Sequence, residues 1–326
     1  MPLLSGPARA RNQAAAQHRA REQAPSTPPV PEPLVDRSFL ERLERLTLHW
    51  QKSFHGLVGG HNLSRFAGSG QEFLDHRNFH QGDDLRAVNW RAYMRFEKLF
   101  LKMFQVEPRV PVRLLLDISS SMTAGAGQGD LNKFDYARKI AAALVYVGLV
   151  RLDSILLQPF SSRLLDPFLA SGGRHRFTPA ENYLRALTPR GKTNYFDIAR
   201  EYLGAYPQRG LTIIISDFLD DSDCLHPLQY MADFGHELLL IQLWGEEDRH
   251  PSGQGELELI DSESGARLKI ALDDQARQTY SESFDTYTEE LKKLAVRNGG
   301  RYAGLSTHTP VDEAVFGPLT IIQNGN

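Results

Sequence analysis

Leu114-Leu115-Leu116-Asp117-Ile118-Ser119-Ser120-Ser121-Met122 is an apolar run that breaks off in an acid and alternating hydroxyls. A buried parallel strand has this continuous apolar character. Open α/β sheets place their ligands just beyond the carboxyl ends of such strands. Asp117, Ser119 and Ser121 are therefore expected on one loop, with their oxygens turned into a crevice. An all-oxygen set with one carboxylate suits a hard ion that keeps waters and open positions, Mg²⁺ above all. The bland alternative is a strand followed by a Ser-rich turn that caps a helix.

Two later segments extend the pattern. Gly191-Lys192-Thr193-Asn194 puts an isolated Thr in a turn between two stretches of helical periodicity, around Leu184 to Leu187 and Phe196 to Leu203. Leu211-Thr212-Ile213-Ile214-Ile215-Ser216-Asp217 is a second buried-strand run that ends in an acid. If both strands belong to one parallel sheet, Asp117, Ser119, Ser121, Thr193 and Asp217 converge at one edge. This order and spacing resemble the metal-ion-dependent adhesion site of von Willebrand factor A domains. The resemblance implies Mg²⁺ or Mn²⁺ as the ion, with Asp217 contacting it through water.

Outward from these motifs, strands and helices alternate. Strands are expected at 113–117, 154–160, 211–217 and 237–243, with a helix from about Phe134 to Val150 and two helices flanking Thr193. The fold class is thus α/β, a doubly wound and mainly parallel sheet. Residues 256–260 and 267–270 alternate around Asp261 to Gly265 and predict an inserted β-hairpin. Asp273-Asp274 can cap a last long helix with Phe284, Tyr287, Leu291 and Leu294 inward, stopped by Gly299-Gly300. Residues 301–304 suggest a final edge strand.

The chain has 326 residues, 41% hydrophobic and 24% charged, enough for one large α/β domain and a smaller attachment. A net charge of −3 gives no electrostatic case for nucleic acid. The single cysteine, Cys224, excludes an intrachain disulfide and reads as an apolar filler at a helix start. Ile140 to Val150 is the longest apolar run and is far short of the ~20 residues a membrane span requires. Residues 1–35 read as a disordered tail and Pro-rich linker, without the apolar core of a signal peptide. Ser38-Phe39-Leu40-Glu41 resembles a capping box, and Leu40, Leu43, Leu46 and Trp50 give the following helix an apolar stripe for the main domain. Domain boundaries follow at 36–107 for this helix and a charged, aromatic module, 108–316 for the α/β domain and 317–326 for a tail.

Several constellations fail on spacing. Arg190-Gly191-Lys192-Thr193 lacks the Gly that a phosphate loop needs five positions before Gly191, where Ala186 stands. Gly125, Gly127 and Gly129 miss the dinucleotide-binding spacing and suit a flexible rim. His76 and His80, with Asp75, Asp83 and Asp84 near them, read as a surface hydrogen-bonding network before a second metal site. No nucleophile with an activating base stands out, so no catalytic residue is assigned.

Gly70-Gln71-Glu72-Phe73, Arg77-Asn78-Phe79, Gly82-Asp83-Asp84-Leu85-Arg86 and Val88-Asn89-Trp90, followed by Glu107 and the Asp117 motif, resemble the bacterial domain-of-unknown-function family 58. Asn89 stands where that family has Asp. The resemblance covers about residues 55–316 and implies the charged box joined to a von Willebrand factor A-like domain. It also implies a MoxR-type AAA+ ATPase as partner, since the genes of the two commonly adjoin. Read from its own residues, the box pairs Glu72, Asp83 and Asp84 with Arg77, Arg86 and Arg91 in a structural charge network. The expected function is a non-enzymatic, metal-dependent interaction module, an adaptor whose ion takes an acidic group on the ATPase or a client protein. The alternatives are a metal-dependent hydrolase at the same site, or a degenerate site that only holds loops. The expected location is the cytoplasm, with no direct membrane insertion.

Overall fold

The computed structural model describes residues 33–50, 64–67, 72–81, 83–106, 111–123, 131–150, 154–219, 223–253, 255–260 and 267–321. The tail and linker, the glycines at 125–129 and the hairpin turn at 261–265 lie outside these residues.

Helix α1 spans Arg37–Trp50, and the charged box that follows forms strands β1 (Ser64–Ala67) and β2 (Glu72–Asn78), helix α2 (Trp90–Phe96) and strand β3 (Phe100–Val106). β3 is central, antiparallel to both β1 and β2. Then come β4 (Val112–Asp117), α3 (Lys133–Val150), β5 (Ile155–Phe160), β6 (Phe168–Ala170), α4 (Phe177–Ala186) and α5 (Tyr195–Ala205). The chain continues through β7 (Leu211–Ser216), α6 (Leu225–Asp233), β8 (Glu237–Trp244), α7 (Glu246–Arg249) and the antiparallel hairpin β9 (Gly255–Ile260) and β10 (Arg267–Leu272). It ends in α8 (Asp274–Arg297), β11 (Arg301–Ser306), α9 (Val311–Phe316) and α10 (Pro318–Ile321).

The main sheet has six strands in the order β11-β8-β7-β4-β5-β6, all parallel except β6. Its strands are apolar on both faces because helices cover both. Successive side chains of a strand point to opposite faces, and the cores follow that alternation. Leu114, Leu116, Ile213 and Ile215 pack with α1, α3, α4, α9 and α10, while Leu115, Ile214, Leu238 and Leu240 pack with α5, α6 and α8. The doubly wound fold expected from the apolar runs is the observed one. Helix α3 has no fully exposed residue, so its Ile140–Val150 run is core packing.

Three local readings need correction. Helix α1 begins one residue before Ser38: Asp36 caps it by accepting from the Phe39 amide at 2.7 Å, and the Ser38 hydroxyl donates to that same carboxylate at 2.8 Å. The capping box at Ser38 is therefore not formed. Phe39 and Leu43 of this helix are buried in the main core, and Glu44 accepts from Tyr146 of α3 at 2.6 Å. At the other end the packed chain runs past residue 317, since Leu319 of α10 is buried in the same core.

The box is also less of a network than its charges suggested. Arg77 and Asp83 form a two-pronged ion pair at 2.8 and 2.6 Å. Asp84 instead caps a short 3₁₀ turn through the Arg86 amide, and Asn89 caps α2 through the Ala92 amide. A cap needs only a short side-chain oxygen, which the Asn89 amide supplies. Asn89 also pairs with His76 and Arg77 with His80, the surface network expected of these histidines.

Candidate functional site

Strands β4 and β7 are adjacent and parallel, with Leu114 opposite Ile213 and Leu116 opposite Ile215. Their carboxyl ends thus put Asp117 and Asp217 side by side at one sheet edge. Asp117, Ser119 and Asp217 are buried to within 2% of complete, and Thr193 is 8% exposed. The Asp-x-Ser-x-Ser turn folds on its own first residue: the Ser119 amide donates to Asp117 Oδ1 at 2.8 Å. The hydroxyls of Ser119 and Ser121 lie 2.9 Å apart.

The Thr193 loop is clamped onto this turn by main-chain bonds. Arg190 donates its amide to Ile118 at 2.7 Å, and Ser120 donates to the Gly191 carbonyl at 2.9 Å. Gly191 makes the close approach in a left-handed conformation, φ 79°, that glycine adopts without strain. Asn194 then caps α5 through the Asp197 amide at 3.1 Å, which fixes Thr193 just ahead of the helix. The ends of β4 and β7 and the loop that carries Thr193, tied to the Asp117 turn through Arg190 and Gly191, therefore lie at one edge of the sheet.

Their electrostatic surroundings differ. Asp117 Oδ2 accepts from the Ser216 hydroxyl at 2.5 Å, and Ser216 accepts in turn from the Tyr195 hydroxyl at 2.6 Å and the Phe218 amide at 2.9 Å. Among the described residues no cation pairs with Asp117. Burial first, and the neighbouring Asp217 second, push its carboxyl up to about 7. Asp217 has an ammonium: Lys133 Nζ, on the first residue of α3, donates to Asp217 Oδ2 at 2.7 Å and reaches Asp248 Oδ2 at 3.1 Å. Asp217 Oδ1 accepts from the Leu219 amide at 3.2 Å. Only 2% of the Lys133 side chain is exposed. Phe218 then turns the chain in a left-handed conformation, φ 55°, unusual for a bulky residue and held by Tyr287, which donates to its carbonyl at 2.6 Å.

Ser216, Tyr195 and Lys133 were not singled out in the sequence. Lys133 carried a signal, because a cation at a helix N-terminus opposes the helix dipole and needs an acid nearby. Cys224 is buried at the start of α6 with its thiol 2.7 Å from the Tyr287 hydroxyl, a packing role. Among the described residues no three His, Cys, Asp or Glu side chains form a metal-binding group. The strand-end edge thus carries Asp117, which no described cation pairs with, the paired hydroxyls of Ser119 and Ser121, and Asp217 held by Lys133. Such a set could hold a hard cation or a positively charged group.

The profile of the family described as protein of unknown function DUF58 matches residues 75–290, both the box and most of the sheet. The chain belongs to the DUF58 family. An uncharacterized protein of Mycobacterium tuberculosis is 25% identical over 281 residues, 83% of this chain and 86% of that protein. Two solved structures are similar to the chain at low identity. The von Willebrand factor A domain of SpRpn10 is 12% identical over 63% of this chain and 94% of that one, with a TM-score of 0.34. An aerotolerance-related membrane protein from Bacteroides fragilis is 15% identical over 67% of this DUF58 chain and all of that one, with a TM-score of 0.39. The expected cytoplasmic location is corrected by these comparisons, in which similar structures are described as membrane proteins. No helix among the described residues is long and apolar enough to cross a membrane.

Proposed function

We propose that this DUF58 protein is a metal-dependent protein-interaction module, in which Mg²⁺ or Mn²⁺ is held by Asp117, Ser119, Ser121 and Thr193 with Asp217 behind them. The observation that carries this reading is Asp117, a fully buried carboxylate that no cation among the described residues neutralises. Leaving a charge uncompensated in the interior costs several kcal/mol. The hydroxyls of Ser119 and Ser121, 2.9 Å apart, and the Thr193 hydroxyl offer the neutral oxygens a hard ion takes beside a carboxylate. A bound ion would supply the missing positive charge and one open position for a carboxylate from another protein.

The partner proposed is a MoxR-type AAA+ ATPase, or a client that the two handle together, presenting an Asp or Glu to that position. A hydrolase built on the same residues lacks a free base, because Asp217 is held by Lys133 and Asp117 by Ser216 and the Ser119 amide.

Calorimetric titration of Mg²⁺ and Mn²⁺ into the protein is expected to give weak binding that Asp117→Ala abolishes and Ser119→Ala, Ser121→Ala or Thr193→Ala weakens. Unchanged binding in Asp117→Ala would end the metal assignment. Affinity capture with and without EDTA tests the partner: an ATPase retained equally under both conditions removes the metal bridge. Capture of no ATPase removes the partner, and phosphoester or peptide turnover lost in Asp117→Ala would replace the adaptor by a hydrolase.

A further inference from the structure

Lys133 is the one buried lysine among the described residues. Its ammonium lies where the end of β7, the start of α3 and the Gly245–Arg249 turn meet, between Asp217 at 2.7 Å and Asp248 at 3.1 Å. Asp248 is itself fixed, accepting from the Gly245 amide at 2.8 Å, and its side chain is 18% exposed. Both Asp217 oxygens are taken, one by Lys133 and one by the Leu219 amide. Among the described residues, the cation at the two strand-end acids is Lys133, and it pairs with Asp217 and Asp248.

We infer that Lys133 keeps the site one carboxylate short, so that a divalent ion is held firmly only when a partner's carboxylate completes it. This rests on the metal reading of Asp117 and names how that site is regulated. A divalent ion is retained by the count of negative ligands around it. With Asp217 bound to an ammonium, the ion faces one uncompensated carboxylate, Asp117, and neutral hydroxyls. The second negative charge has to arrive from outside. Ion and acidic ligand then bind cooperatively, and each raises the other's affinity by the same factor. Lys133 touches neither the ion's hydroxyl ligands nor the partner. It is a positioning residue that acts through Asp217.

The experiment is a titration of Mn²⁺ into wild type, Lys133→Met and the double variant Lys133→Met/Asp217→Asn, each with and without excess acetate as a minimal carboxylate ligand. Freeing Asp217 is expected to tighten Mn²⁺ binding of Lys133→Met alone by about tenfold or more, since a full charge is restored within a few ångströms of the ion. Acetate is expected to tighten Mn²⁺ binding of the wild type and to do so far less in Lys133→Met. The double variant removes both charges of the buried pair, so it keeps the fold where the single variant unfolds. Its Mn²⁺ affinity is expected within about threefold of wild type, because the pair it replaces had no net charge. Wild type that binds Mn²⁺ while a folded Lys133→Met binds no tighter overturns the inference and leaves the metal reading standing. So does a double variant that loses tenfold or more, which would make Asp217 a direct ligand. Wild type that binds no Mn²⁺, even with acetate, overturns both.

Discussion

Strands β4 and β7 lie side by side and each ends in a buried acid, yet Asp117 is met by hydroxyls and an amide while Asp217 is met by an ammonium. Burial alone treats the two alike. What separates them is Lys133, which the chain brings in at the start of α3. On the proposed reading, one acid is part of the frame and the other is left for a ligand. A strand-end carboxylate can be read as functional only once its counter-charge has been found or shown to be missing.

The largest expected effect breaks the framed side. Lys133→Ala leaves Asp217 without its cation and Asp217→Ala leaves Lys133 with Asp248 alone, and each should cost about 3–5 kcal/mol in urea unfolding with EDTA present. A loss under about 1 kcal/mol in either would mean that water reaches the pair and that the contrast between the two acids is false.

On the other side, Tyr195→Phe removes the hydroxyl that donates to Ser216, the donor to Asp117. The ring stays packed between Phe160 and Phe218, so the expected cost is that of one buried hydrogen bond, about 1–1.5 kcal/mol. Urea unfolding of Tyr195→Phe at neutral pH measures it. A cost as large as that of Lys133→Ala would show that the hydroxyl chain, and not the ammonium, holds this edge together.

Glu237, at the amino end of β8 and so at the opposite end of the sheet, is a control with no proposed ligand. Burial pushes its carboxyl up to about 7 from an ordinary 4.5, against the pull of Arg301. The folded state thus favours the protonated acid. The stability this gives is complete below about pH 4.5 and is lost as pH rises through about 7. Glu237→Gln should match wild type near pH 4 and exceed it by about 1 kcal/mol near pH 8, the full shift being discounted for partial exposure. Equal urea midpoints for the two proteins at both pH values would show that Glu237 stays ionised in the fold.

Much of this was legible in the chain. A run such as Leu114–Leu116 or Ile213–Ile215 can only be satisfied between two helical layers, so the sheet and its ligand edge followed from apolar pattern alone. That Asp117 and Asp217 end adjacent strands and that Thr193 lies in a turn between helices was legible, because strand ends and turns fix where such residues go. Lys133 was not, because a lysine on a helix reads as a solvated charge until the acids packed around it are known. Ser216 was hidden for a related reason: in a strand it passes for one more inward residue, and its hydrogen bond to Asp117 depends on strand order. The Asp36 cap was missed because Ser38 offered an equally good cap two residues on, and only the packing of Phe39 and Leu43 decides between them. In the box, acids and arginines close in sequence suggested pairing, but Asp84 is used by the main chain while Asp83 holds Arg77.

The smallest expected change in stability is the sharpest test of the comparison. Asp117→Asn removes a buried negative charge that has no described cationic partner and that is repelled by Asp217. Its amide oxygen can still accept from the Ser119 amide or the Ser216 hydroxyl, so one hydrogen bond is lost and one electrostatic penalty is relieved. The two effects oppose each other, and with EDTA present the variant should unfold within about 1 kcal/mol of wild type. Asp217→Asn, with the same atoms changed, strands the Lys133 ammonium beside Asp248 alone and should cost several times more. Mn²⁺ binding should show the reverse order, abolished by Asp117→Asn and reduced less by Asp217→Asn. If Asp117→Asn proves as damaging to the metal-free fold as Asp217→Asn, then Asp117 is already compensated within the protein. A carboxylate so compensated has no need of a cation, and the site would serve only to hold its loops together.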